Sequence, residues 1–337
     1  MAVNYLGTQG LTDEMKTFYD RQLLERAQPN LVHARYGVEK TVPRSGGKSI
    51  EVRKMLQIPA SISAASSGSN YGALLFEGSA GGAVTATFVK VTATLAQYGQ
   101  WSQITDLVET QSFDPVINEF AVNYGQTMGI ALDEVVRAAL VAGTNLQYAG
   151  AATNKESIYA TTANMISLAE FREAVNTLKK KNIPPVVDGK YIAIIHPDTT
   201  RDLFAASELT QIFREAYDRG GANPMVTGVL GDYMGIRFVE TTRAYTEAGG
   251  SPAAGSVCAS PVYSTLVIGA NAYMTVKLES QNAQLIVHPR GGHLSDPLEQ
   301  YSTVGWKAAI CAKILDENAL VRILHATTGG GTWTSAA

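Results

Sequence analysis

The segment Gly46-Gly47-Lys48-Ser49 has the residue types that end a phosphate-binding loop. Such a loop needs another glycine five residues before Gly47, so that the backbone can wrap the phosphate, but that position is Val42. The residues after Ser49 also alternate as a strand does, whereas a phosphate-binding loop must open a helix. The sequence therefore favours a basic hairpin turn over a nucleotide site.

Histidines are the next residues that could support chemistry. His288 and His293 lie close in sequence, but zinc needs a third and a fourth ligand, and Asp296 is the nearest carboxylate. His196 precedes Pro197 at the end of an apolar run, which favours a hydrogen-bonding residue at a strand end over a catalytic base. We predict no metal ion and no cofactor here.

Serine and cysteine can act as catalytic nucleophiles when a base lies beside them. No serine lies in a Gly-x-Ser-x-Gly elbow, and neither Cys258 nor Cys311 neighbours a plausible base. Cys311 follows Ile310 in an apolar run and is predicted to be a small buried hydrophobe. The sequence therefore predicts no catalytic residue, and the chain is not expected to be an enzyme.

The content of charged residues limits the kinds of partner that the surface of the protein can bind. The chain has 337 residues, enough for two subdomains, and only 17% of them are charged, below the roughly 25% of a typical globular protein. A surface poor in charge is often one that contacts protein. The formal net charge of -3 excludes a basic field that would draw the whole chain onto nucleic acid.

The cellular compartment follows from what the sequence lacks. The N-terminus lacks the charged segment followed by an apolar segment that is typical of a signal peptide. No apolar run approaches the roughly 18 residues of a membrane span. The two cysteines are far apart in sequence, which favours a reducing compartment over a disulfide. We expect a protein made and folded in the cytoplasm, with no membrane partner.

Residues 36–94 alternate and are predicted to form a long two-stranded arm, with a return strand at Ala83–Thr92. Six basic and two acidic residues between Arg35 and Lys54 give this stretch a net charge of +4. They are Arg35, Lys40, Arg44, Lys48, Arg53 and Lys54, against Glu39 and Glu51. Such an arm is either solvated or docked on an acidic neighbour, and docking is favoured because a long hairpin cannot bury itself alone.

Helix signals surround this arm. Thr12 is a plausible N-cap of a first helix that Pro29 stops, and Asp114-Pro115 opens an apolar stripe of about 28 residues, on the order of 40 Å long. Ser167-Leu168-Ala169-Glu170 has the form of a capping box for a third helix. Its end, Lys179-Lys180-Lys181, favours a solvated helix terminus over a DNA patch.

The middle and the end of the chain are predicted to contain both helices and strands. Tyr191–Ile195 is predicted to be a buried strand, followed by a helix pair from Asp198 to Tyr217 and a strand at 236–241. Asp296-Pro297 marks a turn, and the alternation from Tyr301 predicts a strand that carries Trp306 into a core or an interface.

Several pieces of the chain, weak singly but ordered and spaced together, resemble the major capsid protein of tailed bacteriophages, of the Hong Kong 97 type of fold. The match extends from about Met15 to Ile323. The pieces are Met15-Lys16-Thr17-Phe18-Tyr19-Asp20-Arg21, Leu23-Leu24-Glu25-Arg26-Ala27, Pro29-Asn30-Leu31-Val32-His33-Ala34, Gly46-Gly47-Lys48-Ser49-Ile50-Glu51, Gln97-Tyr98-Gly99, Asp296-Pro297-Leu298-Glu299-Gln300 and Gly305-Trp306-Lys307.

The resemblance implies an α+β capsid fold with defined parts. They are an N-terminal arm over 1–34, an extended β-hairpin loop over 35–95, a peripheral domain with a long spine helix over 96–165, a mixed α/β axial domain over 166–294, a return to the peripheral domain over 295–326, and a flexible tail over 327–337. The expected intersubunit contacts are Phe18, Tyr19, Arg44, Lys48, Glu51, Arg53 and Trp306.

The same resemblance implies assembly in place of catalysis. Identical subunits would form hexamers and pentamers of an icosahedral shell that encloses double-stranded DNA without binding it specifically. Partners would be a separate scaffolding protein, a portal and a decoration protein, with assembly in the bacterial host cytoplasm and a final place in the virion. Two alternatives stay open: the shell of a bacterial nanocompartment of the encapsulin type, and a small-oligomer α/β enzyme or carbohydrate-binding protein.

Overall fold

A computed structural model of the chain describes residues 23, 26–27, 30–43, 47–55, 61–64, 72–74, 86–111, 116–158, 164–206, 232–247, 261–279, 283–288, 298 and 300–328. Within these residues, helices and strands are both well represented, as the predicted α+β class requires. Two larger sheets dominate the described part of the chain, and a two-stranded hairpin packs against one of them.

The first sheet has five strands built around one long central strand. They are β1 (Val38–Val42), β6 (Ala96–Thr105), β13 (Tyr273–Leu278), β14 (Gln284–His288) and β15 (Tyr301–Ile314). β13 and β14 follow one another along one side of β15, and β6 pairs antiparallel along its other side. Among the residues that the structure describes, strand β6 therefore forms an edge of this sheet.

A long helix, α2 (Val116–Val141), covers one face of the five-stranded sheet and confirms the predicted 3.6-residue stripe. Its residues Tyr124, Met128 and Leu140 are buried with Val304 and Trp306 of β15 in the largest hydrophobic core. The predicted N-cap, Asp114-Pro115, lies outside the described residues. A shorter helix, α1 (Asp106–Gln111), links β6 to this region.

Two glycines of α2 allow the N-terminal segment to cross the helix closely. A Cβ at Gly125 would lie 2.8 Å from the carbonyl oxygen of Leu23, and one at Gly129 would lie 2.6 Å from that of Ala27. Leu23 and Ala27 are both buried. Any larger residue at these two positions would push the segment off the helix.

The second sheet has seven strands. They are β7 (Leu146–Tyr148), β8 (Tyr191–Ile195), β9 (Asp232–Tyr233), β10 (Ile236–Glu240), β11 (Thr246–Glu247), β12 (Val262–Ile268) and β16 (Leu320–His325). The order is β7-β16-β12-β8-β10-β9, and β11 adds to β12. Every residue of β8 is buried, which confirms the predicted strand.

Helices α3 (Leu168–Lys180) and α4 (Pro197–Ala205) accompany this sheet. Helix α3 buries Phe171 and Leu178 against β8 and β16, and it ends in lysines as predicted. The expected capping box does not form, because the Ser167 side chain makes no capping hydrogen bond. Glu170 instead accepts from the side chain of Gln147 and from the backbone of Gly150, which ties α3 to β7.

The hairpin consists of β2 (Ser49–Met55) and β5 (Phe88–Thr94), which pair antiparallel. Two short strands, β3 (Ser61–Ala64) and β4 (Gly72–Leu74), pair parallel, so the region between β2 and β5 is not the simple two-stranded arm that was predicted. The arm also starts later than predicted. Residues 38–42 form β1 of the five-stranded sheet, because Val42 packs against Met274 and Val276.

Candidate assembly surfaces

The two faces of the hairpin follow from its register. Residues opposite one another in a ladder point to the same side, and here Glu51 faces Thr92, Arg53 faces Lys90, and Met55 faces Phe88. We call this side the exposed face of the hairpin. The other side carries Ile50, Val52, Lys54, Val89, Val91 and Ala93.

That second side of the hairpin packs on the five-stranded sheet. Ile50, Val52 and Val91 lie in a cluster with Met274 and Val276. Lys54 forms an ion pair with Asp316, and the backbone N–H of Leu95 donates to the carbonyl oxygen of Lys48 at 2.9 Å. The base of the hairpin is therefore anchored to its own subunit.

Cys311 belongs to the same cluster. It is a free, half-buried cysteine, and burial raises the pKa of its thiol. A raised thiol pKa reduces the thiolate fraction at neutral pH, so the side chain acts as a small packing group, as the sequence indicated.

The exposed face is less basic than predicted. Glu51 forms an ion pair with Lys90, and Lys54 points away toward Asp316. Arg35 and Lys40 lie in or before β1, outside the hairpin ladder. The net charge of +4 is therefore spread over several surfaces. What remains on the exposed face is Arg53 beside Lys90 and a more distal apolar pair, Met55 and Phe88, which are 47% and 62% exposed.

The predicted contact residues separate into three groups. Lys48, Glu51 and Arg53 lie together on or beside the exposed face of the hairpin. Phe18, Tyr19 and Arg44 lie outside the described residues.

Trp306 requires a correction. Its register opposite Gln100 and Leu285 places it on the face of β15 that α2 covers, and it is 5% exposed. It is therefore a core residue and offers no surface to another subunit.

The sequence analysis did not identify Trp101. This residue lies opposite Gly305, the residue before Trp306, and its side chain is on the other face of the sheet. Trp101 of β6 is 67% exposed and stands over Gly305 of β15. A Cβ at Gly305 would lie 2.7 Å from the Cβ of Trp101, so only glycine fits below it. Trp101 lines a groove of about 590 Å³, the Trp101 groove, together with Ile286, His288, Tyr301, Thr303, Gly305 and Lys307.

Three aromatic rings cluster at one end of the seven-stranded sheet. Tyr263 lies between His196 and His325, with ring centroids 5.1 and 6.0 Å away, and its hydroxyl donates to Asp198. His196 accepts from the backbone N–H of Asp198 and caps α4, which confirms its predicted hydrogen-bonding role. His325 is fully buried, and Thr265 and the carbonyl oxygen of Ala326 contact its two ring nitrogens. These hydrogen bonds and ring contacts join helix α4 to strands β12 and β16.

Burial lowers the pKa of His325 from 6.5 to about 4. A histidine with a lowered pKa binds its proton more readily in the unfolded chain. The unassembled subunit should therefore lose roughly 3 kcal/mol of stability as the pH falls from about 6.5 to about 4. The measurement is the free energy of urea unfolding at neutral pH and near pH 4. The His325→Gln variant should have a lower free energy of unfolding than the wild type at neutral pH, and it should lose less stability between neutral pH and pH 4. An equal loss in the two proteins would contradict the assignment of this pH dependence to His325.

The described residues offer neither a metal site nor a membrane-spanning helix. In that part of the chain, no group of three or more His, Cys, Asp or Glu side chains comes together as a metal site. His288 ends β14, whereas His293 lies outside the described residues. None of the described helices is long and apolar enough to cross a membrane.

A long helix on a five-stranded sheet, a second mixed sheet and a hairpin together form a capsid fold of the Hong Kong 97 type. The chain is similar to the capsid of the cyanophage P-SCSP1u, with a TM-score of 0.61, 15% identity and 87% of each chain covered. It is similar to the capsid of Ralstonia phage GP4, with a TM-score of 0.63, 16% identity and 86% of each chain covered. For the cyanophage Pam1 capsid, the TM-score is 0.59 at 16% identity, over 98% of this chain and 100% of that one.

Residues 88–323 match the model of a family described as phage capsid protein, and the chain belongs to this family. No curated protein matches the sequence. The protein is a structural one, a major capsid subunit that forms a shell, and not an enzyme. The family match does not favour the nanocompartment or small-oligomer alternatives.

Proposed function

We propose that the subunit forms hexamers and pentamers of an icosahedral shell that encloses double-stranded DNA. Family membership supports self-association in a shell. Closed shells need heterologous contacts, in which a surface of one copy meets a different surface of the next. An anchored hairpin with an exposed outer face supplies one such surface, and this observation carries the proposal.

The hairpin contributes to these contacts in two ways. Strands β2 and β5 pair only with each other in the described part of the chain, so each has a free edge there. Lys48, Glu51 and Arg53 add charges that can orient a partner. We assign the same intersubunit role to Arg44 and to Phe18 and Tyr19 of the N-terminal arm.

The domain division is part of the proposal. Residues 96–165 and 295–326 form the peripheral domain around α2, which the joint packing of α2 and β15 supports. Residues 166–294 form the axial domain, residues 1–34 an arm, 35–95 the extended loop, and 327–337 a tail. Five strands depart from this division: β1, β13 and β14 pair inside the five-stranded sheet around α2, whereas β7 and β16 pair inside the seven-stranded sheet.

The remaining partners follow from the same role. A separate scaffolding protein, a portal and a decoration protein would act during assembly in the bacterial host cytoplasm, and the finished subunit resides in the virion. The net charge of -3 is consistent with a shell that contains DNA without gripping it. A nanocompartment shell would instead copurify with protein cargo.

Electron microscopy of the purified protein, alone or with its scaffolding protein, is expected to show shells or capsomers. The triple variant Arg44→Glu, Lys48→Glu and Arg53→Glu should not form shells, because it reverses these three positive charges of the hairpin region. The free energy of unfolding of the unassembled subunit should change by only about 0.5 kcal/mol, since Lys48 and Arg53 are exposed.

The matched control reverses Lys179, Lys180 and Lys181 at the end of α3, which changes the net charge equally. This control should still assemble. Monomers or dimers alone from the wild-type protein in the presence of scaffold would contradict the proposed function. Normal shells from the hairpin variant would contradict only the role of the hairpin charges.

A further inference from the structure

A small recess opens between helix α3 and the turn that joins β9 to β10. Phe171 and Val175 of α3 and Ile236 of β10 form its floor, and Met234 stands at its rim. We call it the Met234 recess. Its volume of about 270 Å³ is just below the roughly 300 Å³ at which small-molecule pockets begin. The recess is therefore suited to one large side chain of a partner more than to a free ligand.

Met234 has a backbone conformation that methionine rarely adopts. Its φ is 48°, and that of Gly235 is 81°, so both central residues of this two-residue turn have positive φ. Turns of this kind usually have the sequence Asn-Gly. The other non-glycine residues with positive φ in the described part of the chain are Asn182, Asp188 and Asn271, which belong to the types that tolerate this conformation. Met234 is the exception among them.

Packing within the subunit does not account for this methionine. Its side chain is 57% exposed, so it contributes little to the core under the turn. Methionine is flexible and polarisable, and it is frequent on surfaces that bind varied partners. A strained backbone that carries an exposed apolar side chain indicates a role outside the subunit.

The helix side of the recess is basic. Arg172, Asn176 and Lys179 line it, spaced four and three residues apart on one face of α3. Arg172 donates to the hydroxyl of Tyr233 at 2.9 Å, which holds its guanidinium at the rim. Lys179 is exposed there, and two further exposed lysines follow it at the helix end.

The acidic residues of these elements face away from the recess. Glu170 is held toward β7. Asp232 forms ion pairs with Lys190 and Arg237 on the opposite face of the β9–β10 hairpin. Glu173 lies about 120° round α3 from the lysine at the rim, at 3.6 residues per turn. The electrostatic potential over the recess is therefore positive.

We propose that the Met234 recess binds an acidic peptide segment of another protein, which inserts one large apolar side chain between Met234 and the floor. The basic rim attracts the carboxylates of the segment, and the recess accepts the apolar side chain. The phosphate backbone of DNA would match the charge but would leave the apolar floor unfilled. The inference goes beyond the proposed function and does not depend on it.

A second copy of this chain is a poorer match for the recess. In the described part of the chain, adjacent acidic residues occur at Asp133-Glu134 and at Asp316-Glu317. Asp133 is buried against His33, and Asp316 forms an ion pair with Lys54. These carboxylates are already engaged within their own subunit, so the segment must come from a different protein.

The test is the fluorescence anisotropy of a labelled peptide of glutamate and alanine with one central leucine, titrated with the unassembled subunit. We expect saturable binding that weakens as the salt concentration rises. The same peptide with serine in place of leucine should bind at least about tenfold more weakly, because it cannot fill the apolar recess. A peptide with lysine in place of glutamate should not bind.

Variants of the subunit locate the site. Lys179→Glu should weaken binding of the leucine peptide at least about tenfold, whereas Lys313→Glu, an equal charge change at an exposed position on the other sheet, should not. Met234→Asn should also weaken binding, yet it should raise the midpoint of thermal unfolding by about 2 °C, because asparagine tolerates the positive φ. A purely structural role of Met234 would not couple higher stability to weaker binding.

The remaining outcomes would overturn the assignment. They are no binding of the leucine peptide, equal binding of the serine peptide, and binding of double-stranded DNA in place of the peptide. Self-association of the wild-type subunit that Met234→Asn abolishes, without peptide binding, would assign the recess to contacts between copies. Shells of the variant reversed at Lys179, Lys180 and Lys181 should form but bind no peptide, so this inference and the proposed function can fail separately.

Discussion

Replacing His33 with alanine is expected to destabilise the unassembled subunit by about 3–5 kcal/mol, because it breaks a buried pair and leaves one partner uncompensated. The backbone N–H of His33 donates to Asp133 at 2.7 Å, and its Nδ1 lies 2.6 Å from the other carboxyl oxygen. The two side chains are 0% and 2% exposed. Alanine would leave the Asp133 carboxyl group in the core with half of its hydrogen bonds.

The pair joins the segment before β1 to the middle of α2. The hydroxyl of Tyr273 donates to the carbonyl oxygen of His33, and its ring packs so closely on Gly37 that a Cβ there would lie 2.4 Å from it. Loss of His33 should therefore also loosen the chain that leads into β1. Hydrogen exchange of the β1 amides, which we expect to accelerate, reports this local effect.

The matched control for this prediction is His33→Asn, whose side-chain amide can donate to Asp133 in place of Nδ1. It should recover a large part of the lost stability in urea unfolding. If alanine costs less than about 1 kcal/mol, or no more than asparagine does, the pair is not the anchor that its burial indicates.

Local patterns in the sequence predicted the elements of this fold well. The apolar spacing after Val116 specified α2, and the apolar run Tyr191–Ile195 specified β8, because each pattern depends on residues close in sequence. The alternation of Ser49–Met55 likewise specified β2. Patterns of this kind report how a segment folds and leave open where it packs.

Pairing between distant segments could not be predicted in this way. Val38–Val42 alternates as an arm strand would, but its partner β13 lies more than 200 residues later. Glu170 has the spacing of a capping box, yet Gln147 from β7 takes its carboxylate. In both cases a tertiary contact outweighed a local signal.

The candidate site shows the same limit most clearly in its two tryptophans. Trp101 and Trp306 both lie on strands of alternating character, and only the register of β6 against β15 decides which one faces α2. A shift of one residue would exchange the buried and the exposed side chain. The basic residues of the hairpin follow the same rule, since neighbouring positions of β2 place Lys54 and Arg53 on opposite faces. Surface assignments thus depended on information that a single sequence does not contain.

Arg322 should be the most sensitive position at the junction of the long helix and the seven-stranded sheet. Its Nη1 donates to the carbonyl oxygen of Val141 at the end of α2, and its Nε donates to Ser264 of β12, both at 2.7 Å. The guanidinium also lies 5.5 Å from the centre of the Tyr245 ring and 3.7 Å from Glu247. One side chain therefore links a helix end, a central strand and strand β11.

Arg322→Met keeps the length of the side chain and removes every one of these bonds. We expect a loss of about 3–5 kcal/mol, because Ser264 and the helix carbonyl lose their donor at a site where Arg322 is 9% exposed, while Glu247 keeps only its ion pair with Lys155. Arg322→Lys retains the charge but not the planar fork that reaches two acceptors at once, so it should recover less than half of the loss. Urea unfolding of the unassembled subunits measures both values. A lysine variant as stable as the wild type would show that charge alone, and not the two directed hydrogen bonds, holds α2 to this sheet.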